Sequence, residues 1–203
     1  MSNDTDPKQF YDQFAIKLAR DMLSGNARME KAIIFACSLL QGHFRKSVLD
    51  LGCGIGWSSF EFSRAVPEAQ VQGLDLSPTL ISVARMMFPG SDKLQFESGD
   101  LTEASWQQGR AGKYDACMML DVYEHIPAAF RPVFHASLAS VLSPDAVIGL
   151  SCPTTLHQDY LRKFQPEGLQ PVDEDISLEV IQTLAAQTSS EVVYFEYVSI
   201  WAS

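Results

Sequence analysis

An alternating glycine run is the first feature of this sequence that can bind a ligand. Gly52, Gly54 and Gly56 are separated by single residues, and glycine allows positive φ angles and a close approach of ligands to backbone N–H groups. Asp75 follows about 20 residues later, where nucleotide-binding folds place an acidic side chain against a ribose hydroxyl pair. The spacing therefore indicates a nucleoside-containing ligand. It departs from the G-x-G-x-x-G of dinucleotide binders, which disfavours a nicotinamide-dependent oxidoreductase.

Two histidines are candidate general bases. His125 comes shortly after one predicted strand and His157 after the next, and a neutral imidazole can take a proton from a hydroxyl or an acidic carbon. We expect His125 to be the better placed and His157 to be the second candidate. His43 and His135 fall on predicted helices or at their ends, which favours structural or solvent-exposed roles.

The elements that position these residues alternate along the chain. Apolar and β-branched segments predict strands over 47–51, 69–75, 94–98, 114–120, 146–152 and 191–201, with helices between most of them. Two amphipathic helices, over about 10–22 and 29–40, precede the first strand. This order predicts an α/β fold: a Rossmann-like, doubly wound and mostly parallel sheet with helices on both faces. Ligands then bind at the carboxyl ends of the strands.

Four sequence motifs carry a family resemblance. VLDLGCGIGWSS, GLDLS, ESGDL and LDVYEHIP occur in this order over roughly residues 47 to 153. They resemble the ordered motifs of class I S-adenosylmethionine-dependent methyltransferases, especially the small-molecule type of the ubiquinone pathway and of polysaccharide assembly. The resemblance implies S-adenosylmethionine as cofactor, S-adenosylhomocysteine as product, and methylation of a small-molecule or glycan acceptor, with oxygen as the favoured acceptor atom.

The same resemblance implies roles for individual residues. The three glycines would pack against the methionyl part of the cofactor, and Asp75 would bind the ribose hydroxyls. Asp100 would bind the adenine amino group, with Leu101 beside the ring. Leu120 to Val122 would line the methionine side, and the helix with Tyr11 would form part of a lid. The other implied cofactor-contacting positions are Asp50, Cys53, Trp57, Leu76 and Asp121.

An acidic-histidine cluster leaves the question of a metal open. Asp121-x-x-Glu124-His125 resembles a cluster that can hold a divalent metal in small-RNA 2′-O-methyltransferases and in ubiquinone-pathway O-methyltransferases. Carboxylates and an imidazole suit magnesium or manganese. The same pattern also caps the following helix in methyltransferases without a metal, so a divalent metal is allowed but not favoured. The stretch 153–175 either contacts the acceptor or forms a solvated crossover loop.

Length and charge bound the organisation. A chain of 203 residues predicts one structural domain, with the helices of 1–46 on the lid and acceptor side and the methyltransferase core over 47–203. The net charge of −10 and the absence of a basic run disfavour nucleic acid as a partner. The sequence shows no leader or apolar span, and its four cysteines are scattered. We therefore expect a cytoplasmic protein with reduced thiols that is not bound to a membrane.

Several alternatives follow from the same residues. The first is a module of a larger assembly that binds the cofactor without turnover. The second is an RNA or protein methyltransferase, which the acidic charge weakens. The family's sheet usually ends with an antiparallel strand, and nothing after 191–201 could form it. We therefore expect the last strand to be missing and the chain to be truncated. A homodimer or a fusion partner is the corresponding expectation for the sheet edge.

Overall fold

A parallel sheet of five strands forms the centre of the computed structural model, which describes residues 7–41, 46–89 and 92–199. The strands are β1 (Ser47–Leu51), β2 (Gln70–Asp75), β3 (Leu94–Ser98), β4 (Tyr114–Leu120) and β5 (Leu142–Ser151). Their order is β3-β2-β1-β4-β5, with every neighbouring pair parallel. The order reverses between β1 and β4, and such a switch point is where open α/β sheets bind ligands. The predicted doubly wound fold is confirmed.

Helices flank this sheet or lie beside the carboxyl ends of its strands. They are α1 (Pro7–Asp12), α2 (Ala15–Ser24), α3 (Ala27–Gln41), α4 (Trp57–Ala65), α5 (Pro78–Met87), α6 (Arg131–Val141), α7 (Thr155–Phe164) and α8 (Leu178–Gln187). Short 3-10 turns occupy Ser105–Gln107, Tyr123–His125 and Pro166–Gly168. None of the helices within the described ranges is both long enough and apolar enough to span a bilayer.

Successive residues of β1 bury against opposite layers, as the two-residue period of a strand requires. Val48 joins the core formed with α3, α4 and α5, where Phe62 is fully buried. Leu49 joins the core formed with α6 and α8, where Phe134 is fully buried. A strand covered on both faces reads as a continuous apolar run, which is why β1 and β4 could be located in the sequence.

The predicted strand over 191–201 is wrong for the part that the structure describes. Residues 191–199 form no strand and do not join the sheet, and 200–201 lie outside the described residues. A strand needs a ladder of hydrogen bonds to a neighbour, and high β-propensity alone does not supply one. The segment instead lies against α3, where the rings of Phe35 and Tyr194 are 5.6 Å apart and Lys31 Nζ donates to the carbonyl of Ser199.

Smaller differences concern helix and strand limits. The predicted first helix is two helices, α1 and α2, separated by Gln13 and Phe14. Strand β5 begins at Leu142, directly after α6 ends at Val141. Its pairing with β4 jumps from Leu142 to Val147, so the residues between them bulge out of the ladder.

Candidate cofactor and acceptor site

A cavity of about 530 Å³ lies at the carboxyl ends of the strands. Its floor is formed by the segments that follow β1, β2, β3 and β4, and helices α1 and α2 form its roof through Tyr11, Phe14 and Leu18. A volume of this order suits a cofactor-sized ligand. The predicted site residues that line it are Tyr11, Gly52, Cys53, Gly54, Trp57, Asp75, Leu76, Asp100, Leu101, Leu120, Asp121, Val122 and His125.

The glycine run makes three sharp turns, with φ angles of +69° at Gly52, +55° at Gly54 and +84° at Gly56. A Cβ on Gly52 would lie 2.2 Å from Val122 Cγ2, and one on Gly54 would lie 3.1 Å from Leu18 Cδ1. These two glycines therefore keep the cavity floor open. A Cβ on Gly56 would lie 2.6 Å from Phe96 Cζ. Gly56 is outside the cavity lining, and its lack of a side chain serves packing against β3.

Asp75 ties the end of β2 to the glycine run. Its Oδ2 accepts a 2.8 Å hydrogen bond from the Gly54 N–H, and its Oδ1 accepts a 2.9 Å bond from the Ser77 N–H. Burial raises the pKa of Asp75, and the two backbone hydrogen bonds oppose this shift. Each carboxylate oxygen retains a further lone pair. The site therefore offers fixed acceptors facing the cavity, which suits a ligand with paired hydroxyls.

Asp50 lies beneath the glycine run rather than in the cavity lining. Its Oδ2 accepts hydrogen bonds of 2.6 Å from the hydroxyls of Ser58 and Ser59, in the first turn of α4. Burial raises the pKa of Asp50 to about 6, against the opposing effect of the two hydroxyls. Asp50 thus joins the end of β1 to the start of α4 and holds the glycine run from behind.

At the end of β3, Asp100 is fixed by its neighbour. Its Oδ1 accepts bonds from the N–H and the hydroxyl of Thr102, at 2.8 and 2.6 Å. Leu101 lies between these residues and also lines the cavity. An acidic side chain beside an apolar one is the arrangement expected for the amino group and the face of a purine.

His125 contributes a base with a defined tautomer. Its Nδ1 lies 2.7 Å from the carbonyl oxygen of Val172; a carbonyl only accepts, so Nδ1 carries the hydrogen and Nε2 carries the lone pair. Burial lowers the pKa of His125, opposed by this hydrogen bond and by the charges of Asp173 and Asp121. The neutral imidazole is therefore the dominant form at pH 7.

The other histidines differ in position. His157 lies on α7 and is not part of the cavity lining. His135 is buried in α6 between the hydroxyl of Tyr123, at 2.8 Å, and Oε1 of Gln187, which fits the predicted structural role. His43 falls outside the described residues.

Comparisons with known proteins agree with the nucleoside-binding geometry of this cavity. A family model described as a methyltransferase domain matches residues 48–145, from β1 into β5. The chain is 28% identical to the malonyl-[acyl-carrier protein] O-methyltransferase of Halalkalibacterium halodurans, over 56% of this chain and 42% of that protein. It is 30% identical to the ubiquinone biosynthesis O-methyltransferase of Aromatoleum aromaticum, over 61% and 54% of the two chains.

Residues 48–145 thus match a methyltransferase domain, and these similarities support a class I S-adenosylmethionine-dependent methyltransferase. The chain spans about half the length of the curated relatives that it matches. Among solved structures, it shares its fold with a putative methyltransferase of Haloferax volcanii that was solved in complex with the Trm112 activator. The TM-score is 0.69 at 15% identity, over 90% of this chain and 75% of that one.

S-adenosylmethionine is the cofactor that the family indicates, and the residues of this cavity fit it. The glycine positions form a cradle that a Cβ at Gly52 would fill. The carboxylate of Asp75 offers acceptors to hydroxyl groups, and Asp100 with Leu101 offers an acceptor beside an apolar surface. These acceptors match the ribose hydroxyls and the adenine amino group of the molecule.

The acidic-histidine cluster does not fit a bound divalent metal. Oδ2 of Asp121 is 2.8 Å from Nε of Arg28, so a guanidinium already lies on this carboxylate. His125 has its Nδ1 committed to Val172, and its Nε2 is 3.7 Å from Glu124 Oε1. Within the described parts of the chain, no group of three or more potential ligands converges on one point.

Sequence reasoning missed several residues of the cavity. Phe14 and Leu18 could have been found, because they recur with Tyr11 at helical spacing along one face. Arg28, Gln170 and Val172 also line the cavity, but no local pattern marks them. Asp121 has a φ of +57°, a left-handed conformation that is costly for a non-glycine residue and often marks a functional site.

Proposed function

We propose that this domain transfers a methyl group from S-adenosylmethionine to an oxygen atom of a small-molecule acceptor. The observation that carries the proposal is that the glycine cradle, the Asp75 carboxylate and the basic Nε2 of His125 belong to one cavity. The names of the two relatives, both O-methyltransferases, support oxygen as the acceptor atom. Neither name mentions a glycan, so the names favour an acceptor that is a small molecule other than a glycan.

We assign the cofactor contacts as follows. Gly52 and Gly54 hold the methionyl part, Asp75 the ribose hydroxyls, and Asp100 with Leu101 the adenine. Leu120 to Val122 form the methionine side. We also propose that the helices before residue 47 act as a lid, since α1 and α2 already form the roof of the cavity.

The acceptor half of the cavity supplies proton transfer and positioning. When bound, S-adenosylmethionine supplies a sulfonium methyl group, which the acceptor oxygen takes while the sulfur keeps the electrons of the broken bond and leaves as S-adenosylhomocysteine. His125 Nε2 accepts the proton of the acceptor hydroxyl, and the imidazolium that forms lies between the carboxyls of Glu124 and Asp173, each 3.7 Å away. The remaining rate enhancement comes from holding the acceptor in line.

Two residues, Gln170 and Val172, support a role in acceptor binding for the segment after β5. Gln170 and Val172 line the cavity, and the Val172 carbonyl fixes the His125 tautomer. The stretch 153–175 thus contains both acceptor-side contacts and the helix α7. His157 remains the second candidate base, although it lies outside the lining.

The first test is calorimetric titration with S-adenosylmethionine and S-adenosylhomocysteine. We expect binding by the unaltered chain and a loss of at least about tenfold in affinity for Asp75→Ala. The reason is that this variant loses the two charge-assisted hydrogen bonds that we assign between the Asp75 carboxylate and the ribose hydroxyls. Asp92→Ala, an exposed aspartate away from the cavity, is the matched control. No binding by the unaltered chain contradicts the proposal.

A second measurement separates the enzyme from the cofactor-binding module. The chain is incubated with radiolabelled S-adenosylmethionine and a panel of phenols, enols, carboxylates, sugars, RNA and peptides. Product with a small hydroxyl or carboxyl acceptor supports O-methylation, and product only with RNA or peptide favours the alternative enzyme. Tight cofactor binding with no product across the panel favours the module.

A further inference from the structure

We propose that Arg28 is the resident cation of the acceptor site, taking the place of a divalent metal and selecting an acceptor whose reacting oxygen carries or develops negative charge. This inference rests on the proposed O-methyl transfer. It begins with the ion pair between Arg28 Nε and Asp121 Oδ2, at 2.8 Å. Both residues line the cavity, and the Arg28 side chain is 37% exposed, so a ligand can reach it.

The start of helix α3 positions Arg28. Oδ1 of Asn26 accepts hydrogen bonds of 3.2 Å from the N–H groups of Arg28 and Met29, which is the geometry of a helix N-cap. The Asn26 amide in turn donates to Oδ2 of Asp21, at 3.1 Å. The backbone of Arg28 is therefore fixed by a local motif, independently of its side chain.

The groups around Arg28 are carboxyls and imidazoles, the kinds of side chain that bind divalent metals. Burial raises the pKa of Glu124, and the positive charge of Arg28 opposes this rise. Burial lowers the pKa of His125 and of His157, and the charge of Arg28 adds to this effect. One guanidinium thus lies within electrostatic reach of the carboxyls and imidazoles of the Asp121-x-x-Glu124-His125 pattern and of the histidine after β5.

Glu124 adds a buried carboxyl group to the cluster near Arg28. The residue is 1% exposed, and neither carboxyl oxygen has a hydrogen-bond partner within the described part of the protein. Burial raises the pKa of Glu124 well above its ordinary range, with Asp121 as the largest charge that adds to the shift. A neutral Glu124 leaves Asp121 and Asp173 as the anionic groups, and Arg28 offsets Asp121 directly.

The chemistry follows from the donors of the guanidinium. Its Nε lies 2.8 Å from Asp121 Oδ2, and the guanidinium carries four further N–H groups that can donate to an acceptor oxygen. As His125 removes the proton, negative charge develops on that oxygen, and a fixed cation stabilises it. A bound metal would supply the same stabilisation as a Lewis acid. Phenols, enols and carboxylates are therefore the acceptor class that Arg28 favours.

The test uses Mn²⁺ as the probe and the loss of its free electron paramagnetic resonance signal as the readout. Three proteins are titrated: the unaltered chain, Arg28→Gln, and the charge-matched control Arg20→Gln, which changes an exposed residue outside the cavity. We expect Arg28→Gln to bind one Mn²⁺ about tenfold or more tightly than the other two proteins, because a competing cation has been removed. Adding Asp121→Asn to Arg28→Gln should abolish this gain.

Two results overturn the inference. One is stoichiometric Mn²⁺ binding by the unaltered chain that Asp121→Asn removes, because a metal then displaces the guanidinium. The other is Mn²⁺ binding by Arg28→Gln that does not differ from the control. Calorimetry with S-adenosylmethionine on the same proteins keeps the two proposals apart: a failure of cofactor binding contradicts the methyltransferase function, whereas the Mn²⁺ titration reports on Arg28 alone.

Kinetic measurements test whether Arg28 selects the acceptor. With a phenol or carboxylate acceptor found in the panel, Arg28→Gln should lose about 100-fold in kcat/KM while its affinity for S-adenosylmethionine changes less than about threefold. Arg28→Lys should recover part of the loss, since it restores the charge without the planar fork. Equal losses with phenols and with neutral amines, whose nitrogen develops no negative charge, contradict the selection of an anionic oxygen.

Discussion

The backbone N–H of Gly54 and the Oδ2 of Asp75 are joined by a 2.8 Å hydrogen bond. This bond links the turn after β1 to the end of β2, two elements that are neighbours in the sheet and lie 21 residues apart in sequence. The residue that we assign to the ribose therefore also shapes the cradle that we assign to the methionyl group. Changes at either element should affect both cofactor binding and local folding.

Gly52→Ala should destabilise the fold and weaken cofactor binding. The new Cβ would lie 2.2 Å from Val122 Cγ2 at a φ of +69°, which adds overpacking to backbone strain. We expect the free energy of unfolding to fall by about 2–4 kcal/mol in urea titrations. Gly109→Ala is the matched control, because its φ is +70° and no atom lies within 4 Å of its Cβ. It should cost about 1 kcal/mol; equal losses in the two variants contradict a packing role for Val122.

Leu18→Ala should weaken cofactor binding with little effect on stability. Leu18 lines the cavity from α2, and its Cδ1 is 3.1 Å from the Cβ position of Gly54. Loss of this apolar contact should raise the Kd for S-adenosylmethionine about fivefold. Leu23→Ala, on the same helix and 85% exposed, is the control for general effects on α2. An unchanged Kd for Leu18→Ala would show that α2 does not cover the bound cofactor.

Asp50 makes folding stability depend on pH. Burial raises its pKa to about 6 in the folded chain, so the folded state holds a proton that the unfolded state loses at lower pH. The contribution of Asp50 to the stability of the unaltered chain therefore falls as pH rises from about 4 to 6. Asp50→Asn lacks this titration, and its stability relative to the unaltered chain should improve by about 3 kcal/mol across that window.

Denaturant titrations at pH 4, 5, 6 and 7 measure this difference. Asp92→Asn, which changes an exposed carboxylate, should show no comparable trend. A difference between Asp50→Asn and the unaltered chain that stays constant over the same range contradicts the assignment of a protonated Asp50 to the folded state.

The sequence predicted the core of the fold because its strands carry their own signal. Strand β4 (Tyr114–Leu120) is apolar almost throughout and is buried on both faces, so no information from distant residues was needed to find it. The segment 191–199 has the same kind of composition but no neighbouring strand in the described residues. The composition of a segment indicates its tendency to form a strand. Whether the strand forms depends on a neighbouring strand with which it can make hydrogen bonds.

Site residues could be predicted where a sequence motif lies at the end of a strand. They could not be predicted where the residue comes from a distant part of the sequence. Asp75 ends β2 and His125 comes shortly after β4; both were predicted as site residues, and both line the cavity. Arg28 reaches Asp121 from an N-terminal helix, and Val172 reaches His125 across 47 residues; neither has a local pattern. Asp50 is the opposite case. The motif identified this residue, but only the structure shows that its carboxyl group points to α4 and not into the cavity.

His125→Asn should remove proton transfer while keeping the fold of the loop. The asparagine amide can replace Nδ1 as donor to the Val172 carbonyl, which lies 2.7 Å from the native ring, and it lacks the basic Nε2. With a weakly acidic hydroxyl acceptor, we expect a loss of about 10²- to 10⁴-fold in kcat, with S-adenosylmethionine affinity nearly unchanged in calorimetry.

The pH profile provides the independent readout for His125. The neutral imidazole is the active form, and burial lowers the pKa of His125, so kcat/KM should rise with pH through a midpoint below the ordinary histidine value of about 6.5 and be flat at neutral pH. His125→Asn should lack this acid limb. A limb that persists in His125→Asn would assign the titrating base to another group, and His157 would then be the first residue to change.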